Sequence, residues 1–310
     1  VSARQAGHKG FLRATTQEDF EMAEITAAMV KELRERTGLG MMECKKALTA
    51  AGGDIEKAID DMRAAGAIKA AKKAGNIAAE GSIAVKIAAD NKAAVIIEVN
   101  SQTDFLALQD DFKGFVAESL EKAFNEKLTD AAPLVEAREE ARLALVAKTG
   151  ENVNIRRLTR VEGDVVGAYL HGHRIGVVVN LKGGNPELAK DIAMHVAASN
   201  PQFLSASEVS EEAIAKEKEI FLALNADKIA GKPENIVENM VKGRISKFLA
   251  EASLVEQPFV KNPEVKVGDL AKQAGAEIVS FVRYEVGEGI EKAEVDFAAE
   301  VAAQVAATKQ

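Results

Sequence analysis

A strand, a tight turn, a second strand and an amphipathic helix occur twice in this chain, and such a repeat dictates most of what it can fold into. The first copy reads Glu80-Gly81-Ser82-Ile83-Ala84-Val85-Lys86-Ile87, turns at Asp90-Asn91, and returns as Val95-Ile96-Ile97-Glu98-Val99-Asn100. The second reads Glu162-Gly163-Asp164-Val165-Val166-Gly167-Ala168-Tyr169, turns at His171-Gly172, and returns as Ile175-Gly176-Val177-Val178-Val179-Asn180. Strands joined by so short a turn must pair antiparallel. Apolar residues at helical spacing follow each copy: Phe112, Phe115, Val116, Ser119 and Ala123 in one, Ile192, His195, Val196 and Ser199 in the other. The economical architecture is α+β: two duplicated subdomains with antiparallel sheets, over 80–160 and over 161–207 with 251–287. A late strand, Glu277 to Val286, rejoins the second. The copies diverge where each second strand ends, in Ser-Gln-Thr-Asp-Phe against Leu-Lys-Gly-Gly-Asn. That divergence places the specialised loop in the first.

Around this pair the sequence predicts helices. Over 22–65, Ile25, Met29, Val30 and Leu33 share one face, Gly38 and Gly40 break it, and Met41, Cys44, Ala47 and Leu48 mark a second helix. Gly52-Gly53-Asp54 then turns and caps a third helix carrying Ile55, Ala58, Ile59 and Met62. A core this small leaves no room for a buried active site, so its natural use is docking. Residues 66–79 form a connector whose Ala- and Lys-rich start, Gly66 to Gly75, reads as a short helix or a flexible link. Residues 208–250 form an inserted helical hairpin, broken at Gly231-Lys232-Pro233, with Val237, Met240, Val241, Phe248 and Leu249 on one face of its second arm. Packing within the chain is its first expected use and self-association its second. Residues 288–310 form a C-terminal module with a helix from Glu294 to Ala307 whose apolar side carries Phe297 and Val301. Residues 1–21 lack periodicity and are expected to be a disordered leader or extension.

Composition removes whole classes of function. A net charge of -8, no Trp and only two Tyr argue against direct nucleic-acid binding by a basic or base-stacking surface, and against attraction to anionic membrane. The lone Cys44 forbids an internal disulfide and fits a cytoplasmic setting, and no apolar run is long enough to span a bilayer. No phosphate-cradling Gly-Lys loop, dinucleotide fingerprint, His-Glu-x-x-His zinc motif or nucleophile elbow is present. His171 and His173 share a hairpin face without further ligands beside them, and His195 sits on an apolar helix face. The expectation is a protein with no cofactor, no metal and no covalent chemistry.

Two longer strings carry the functional signal. One is Glu98-Val-Asn-Ser-Gln-Thr-Asp-Phe105, an apolar strand that ends in a run of polar residues and an aromatic. Its plain reading is a helix cap with Phe105 as the first core residue. The other is Leu33-Arg-Glu-Arg-Thr-Gly-Leu-Gly-Met-Met-Glu-Cys-Lys-Lys-Ala-Leu48. Together they resemble the paired signatures of the elongation factor Ts family, bacterial guanine-nucleotide exchange factors for the GTPase elongation factor Tu. The likeness extends from Met22 onward through Gly150-Glu151-Asn152, the His171-Gly172 hairpin and the run Val286 to Ile290.

The resemblance implies a fold and a set of contacts. The 22–65 module resembles the ubiquitin-associated fold and would grip the nucleotide-binding domain of elongation factor Tu through Arg34, Met41, Met42 and Lys45. Adjacent Met41 and Met42 cannot both face one core, so one should be available outside. Thr103, Asp104, Phe105 and Leu106 would form the working element, with Phe105 wedged into the partner and Asp104 disturbing the structure around its Mg²⁺. His171 and Val260 would touch the partner away from the nucleotide, and Phe297 would complete the grip. Leu106 stands where Val is usual, Leu108 replaces a commonly polar or basic residue, and Thr149 precedes Gly-Glu-Asn at a position that can be apolar. The alternative is an adaptor or chaperone without exchange activity, using the helical module and the hairpin.

Overall fold

Thr26 starts the first helix, its hydroxyl accepting the Met29 N–H at 3.3 Å. The computed structural model describes residues 25–291, and contact density divides the chain into two units, Val1–Ala64 and Ala65–Gln310. The first unit holds α1 (Ala27–Thr37), α2 (Met41–Ala50) and the start of α3 (Ile55–Lys73). Gly38 ends α1 at φ 68°, a left-handed conformation that costs glycine little, and its N–H closes on the Arg34 carbonyl at 2.8 Å. Val30, Leu33, Cys44, Leu48, Ala58 and Ile59 make the core of this unit, so Cys44 is a packed thiol. Met41 and Met42 are 59% and 66% exposed, so both face out where spacing alone places Met41 beside Cys44. The first turn of α2 projects beyond the small core.

Of the two readings of the segment after Gly66, the structure takes the helical one. Helix α3 continues through it to Lys73, and Ala70 is buried in the second unit's core.

The second unit is a sandwich of two three-stranded antiparallel sheets. The first runs β1 (Glu80–Ile87) and β2 (Ala93–Ser101), passes through α4 (Asp104–Ala107), α5 (Asp110–Asn125) and α6 (Ala131–Thr149), and closes with β3 (Val153–Glu162) against β2. The second runs β4 (Val165–His171) and β5 (Ile175–Lys182), then α7 (Pro186–Ser199). The hairpin of α8 (Glu211–Leu224), α9 (Ala226–Ile229) and α10 (Glu234–Ala252) is inserted there. After β6 (Pro258–Phe259), β7 (Asn262–Lys266) and α11 (Val267–Gln273), the chain returns as β8 (Glu277–Glu285) beside β5.

Period-two alternation sorts the side chains of these strands into layers. Ile83, Ala94 and Ile96 meet Val166, Val178 and Tyr284 between the sheets. Val95, Ile97 and Val99 face Phe112, Phe115 and Val146 on one outer side, while Val177, Val179 and Leu181 face Ile192 and Val196 on the other. Every residue of β2 is buried, since both its faces are covered. The duplication reaches single hydrogen bonds. Asn100 Nδ2 donates to the Glu80 carbonyl at 3.0 Å, and Asn180 Nδ2 to that of Glu162 at 3.3 Å. Gly81 and Gly163 follow those two Glu residues, and a Cβ at either would strike the opposite strand, within 2.7 Å of Asn100 Cα or 1.8 Å of Asn180 Oδ1. Strand β3 is absent from the sequence reading, because Arg156 and Arg157 interrupt its alternation.

Within the hairpin, α8 packs on α10, tied by Arg244 to Glu217 at 2.6 Å, while Leu224 near its tip stays 79% exposed. The leader at 1–21, the helix Glu294 to Ala307 with most of its 288–310 module, and Phe297 lie outside the described residues.

Candidate functional site

Strand β2 delivers the polar string at one end of the sandwich. Ser101 Oγ donates to the Thr103 carbonyl at 2.8 Å, and Thr103 caps the four-residue α4 by accepting the Leu106 N–H at 3.2 Å. The next turn of chain, 150–152, holds this loop from the side. Glu151 Oε2 accepts the Thr103 N–H at 3.0 Å, and the Thr103 hydroxyl donates to the same carboxylate, 2.9 Å from Oε1 and 3.0 Å from Oε2. Gln102 Oε1 accepts the Asn152 N–H at 2.7 Å and Asn76 Nδ2 at 3.2 Å, while Asn152 Nδ2 reaches the Asn76 carbonyl at 2.8 Å.

What this frame displays is apolar. Leu106 and Ala107 turn inward, 1% and 3% exposed, whereas Phe105 is 77% and Leu108 54% exposed. Positions three apart on a helix share a side, so Phe105 and Leu108 project together, with the carboxylate of Asp104 exposed beside them. The plain reading of the string holds in part. Thr103 is a helix cap, but the first core residue is Leu106, and Phe105 stands in solvent. Leu106 therefore anchors the loop from inside. Glu151 and Gln102 carry roles that sequence reasoning missed; the signal available was the Gly150-Glu151-Asn152 string, in which Gly150 ends α6 at φ 74°.

Two other expected positions share this end of the sandwich. Ser101 pairs with Glu80 at the start of β1, and shortly after it the Ile83 N–H donates to the His173 carbonyl in the β4–β5 hairpin at 2.8 Å. His171 closes β4, exposed, with Nδ1 3.3 Å from the Tyr169 hydroxyl. Helix α7 runs alongside β4 toward the same end. It touches Gly167 at Ala189 and continues ~9 Å, at 1.5 Å per residue, to His195. There His195 Nδ1 accepts the Val260 N–H at 3.1 Å, and Val260 is 46% exposed.

That bond fixes the ring. With Nδ1 accepting, the proton sits on Nε2 and points at Gln257 Oε1, 2.9 Å away. Burial pushes the His195 pKa below its ordinary value, only partly offset by Gln257, so the ring is neutral at pH 7. The unfolded chain binds this proton more readily than the folded one. The stability contributed is therefore full above the ordinary value of 6.5 and is lost as pH falls below it. Replacing His195 by the neutral amide Asn should flatten the change in urea midpoint between about pH 7.5 and 5.5; an unchanged slope would mean that another group titrates.

In the first unit, Arg34, Met41, Met42 and Lys45 are all exposed, on α1 and α2. Among the described residues no group of three or more His, Cys, Asp or Glu could hold a metal ion, and no helix is long and apolar enough to cross a membrane.

Comparison with known proteins gives one family. The model of the family described as Elongation factor TS matches residues 102–288, which include the capped loop from Gln102, its 150–152 brace, the β4–β5 hairpin, the helical hairpin and β8. Proteins called Elongation factor Ts from Azotobacter vinelandii, Stutzerimonas stutzeri and Ectopseudomonas mendocina are 90%, 83% and 80% identical over 289 residues, covering 93% of this chain and 100% of each relative. The chain belongs to the elongation factor Ts family of translation elongation factors.

Proposed function

We propose that this chain is a guanine-nucleotide exchange factor that binds GDP-loaded elongation factor Tu, disturbs its hold on Mg²⁺ and phosphate, and promotes GDP release. It acts by protein contacts alone, in the cytoplasm where translation runs. The observation that carries the reading is Phe105, 77% exposed on a helix turn whose base is braced by hydrogen bonds. An aromatic held rigidly in water has its burial still to come, worth ~1.5–3 kcal/mol, and little ordering to lose when it binds.

A GTPase holds its nucleotide through a phosphate-cradling loop and a Mg²⁺ bridging protein and phosphate oxygens. Phe105 entering an apolar pocket near that metal, with the Asp104 carboxylate beside it, favours an arrangement in which the metal and phosphates are less well held. The coupling is reciprocal, so bound GDP weakens the factor by the same factor as the factor weakens GDP. His171 and Val260, displayed at the same end, would add contacts away from the nucleotide, while Arg34, Met41, Met42 and Lys45 would dock the first unit.

The test is release of a fluorescent GDP from purified elongation factor Tu with Mg²⁺ present. The chain should accelerate release strongly and bind nucleotide-free partner more tightly than GDP-loaded partner. Equal binding of both states without acceleration would leave an adaptor and sink the exchange reading.

A further inference from the structure

We propose that Glu151 is the positioning residue of this site, holding the Phe105 turn in the one arrangement that can engage the partner; this rests on the exchange reading above. Both carboxylate oxygens of Glu151 are spent on a single residue, 48 positions away in sequence. Oε2 accepts the Thr103 N–H, and both oxygens accept from the Thr103 hydroxyl. An ionised carboxylate can only accept, so the hydroxyl must donate to it, and the lone pairs left on Oγ1 face the Leu106 N–H at 3.2 Å. A chain of bonds thus runs from Glu151 through the Thr103 hydroxyl to the backbone of α4.

Helix α4 needs such a hold. Four residues make a single turn, too short to be stable by helical hydrogen bonding alone. From the inside it is fixed by Leu106 and Ala107; from the side, by Thr103. Phe105 and Leu108 lie on the remaining side, and among the described residues neither belongs to a core. Their direction is therefore set by the cap, and the cap's hydroxyl is oriented by Glu151. The neighbouring Asn152 N–H to Gln102 bond, at 2.7 Å, fixes where the 150–152 turn lies against the loop, so Glu151 approaches from a defined position.

Without Glu151 the Thr103 hydroxyl can rotate away and the turn can populate other arrangements. The apparent affinity of a site falls in proportion to the fraction of time it is competent, so a tenfold drop in that fraction is read as about a tenfold drop in exchange at subsaturating chain. Such a loss is felt only through Phe105 and its neighbour. A general structural role would instead lower stability and add to any other defect.

The experiment is a double-mutant cycle on the full chain, reading labelled GDP release from elongation factor Tu at subsaturating chain, with thermal unfolding followed in parallel. Glu151→Ala should reduce the exchange rate about tenfold, and the Glu151→Ala, Phe105→Ala double variant should be no worse than Phe105→Ala within about twofold. Thr103→Val should reproduce the Glu151→Ala loss and Thr103→Ser should recover much of it, because serine restores the hydroxyl. If Glu151→Ala does not stay folded at the assay temperature, Glu151→Gln takes its place in the same cycle. It keeps the shape and one acceptor, and its expected loss is about threefold. An unchanged rate in the Glu151 variants, or a loss that multiplies with that of Phe105→Ala, overturns the positioning role while leaving exchange intact. A Phe105→Ala chain as active as its parent overturns the exchange reading at this loop, and the positioning role with it.

Discussion

Under the proposed exchange function, truncating Phe105 to Ala is expected to slow GDP release by about ten- to a hundredfold while leaving the fold alone. Full burial of a Phe side chain is worth ~1.5–3 kcal/mol, and each ~1.4 kcal/mol is a factor of ten in an equilibrium or rate that depends on it. The residue is 77% exposed in the free chain, so most of that burial remains to be gained on binding. Exposure also makes the substitution nearly silent for stability, within ~0.5 kcal/mol, or about one to two degrees in unfolding midpoint. Phe105→Leu should fall between the two, since it keeps part of the apolar volume. The discriminating measurement is GDP release against chain concentration, with circular dichroism melting of each variant. A parent-like rate at every concentration would move the origin of exchange to other contacts, such as those of His171, Val260 and the first unit.

How far the sequence foretells this site depends on the range over which its parts cooperate. The two subdomains are legible because their signals are local: alternation in β1, β2, β4 and β5, turns at Asp90-Asn91 and His171-Gly172, and helical spacing after each pair. Thr103 as a cap is legible for the same reason, as its partner Leu106 lies three residues away. What stays hidden is carried by distant partners. Glu151 finds Thr103 across 48 positions, and nothing near either residue announces the pairing. Strand β3 is obscured because Arg156 and Arg157 interrupt its alternation, and their counter-charge, Glu98, lies on the neighbouring strand. Residues 66–73 are legible as a helix, but not as the continuation of α3. Ala and Lys are good helix formers and no breaker intervenes after Gly66 until Gly75, so the helix is signalled locally, while Gly66 hides its continuity with the helix before it. Met41 shows the limit of spacing: it shares the face of Cys44 yet lies beyond the end of the core.

Replacing Glu98 should do the opposite of replacing Phe105, costing the fold rather than the contact. Glu98 sits on β2, fully buried, a few residues before the capped loop. Arg156 Nη1 donates to both its oxygens at 3.2 Å, Arg157 Nε to Oε2, Asn100 Nδ2 to Oε1 at 2.9 Å, and the Gly287 N–H to Oε1 at 2.8 Å. The same two arginines reach the carbonyls of Glu288 at 2.6 Å and Glu285 at 3.0 Å, so the carboxylate joins β2 and β3 of one sheet to the end of β8 in the other. Breaking a buried charge pair by removing one partner costs ~3–5 kcal/mol. Here the guanidinium side chains keep 29% and 28% of their exposure, which lets water share the loss, so Glu98→Ala should cost about 3 kcal/mol, toward the lower end. Acid should reveal the same group. Burial alone would raise the Glu98 pKa, but the Gly287 N–H, the Asn100 amide and Arg157 outweigh it and hold the carboxyl below its ordinary value of 4.5. A lowered folded pKa means that the unfolded chain takes up the proton first. The contribution is full above 4.5 and is lost as pH falls below it, a window that opens at lower pH than that of His195. Glu98→Gln keeps the shape but not the charge, so it should lower the urea midpoint at pH 7 and flatten its decline from about pH 5 to 3. A variant as stable as its parent at pH 7, with the same decline in acid, would show that the hydrogen bonds at Glu98 merely balance the cost of burying it.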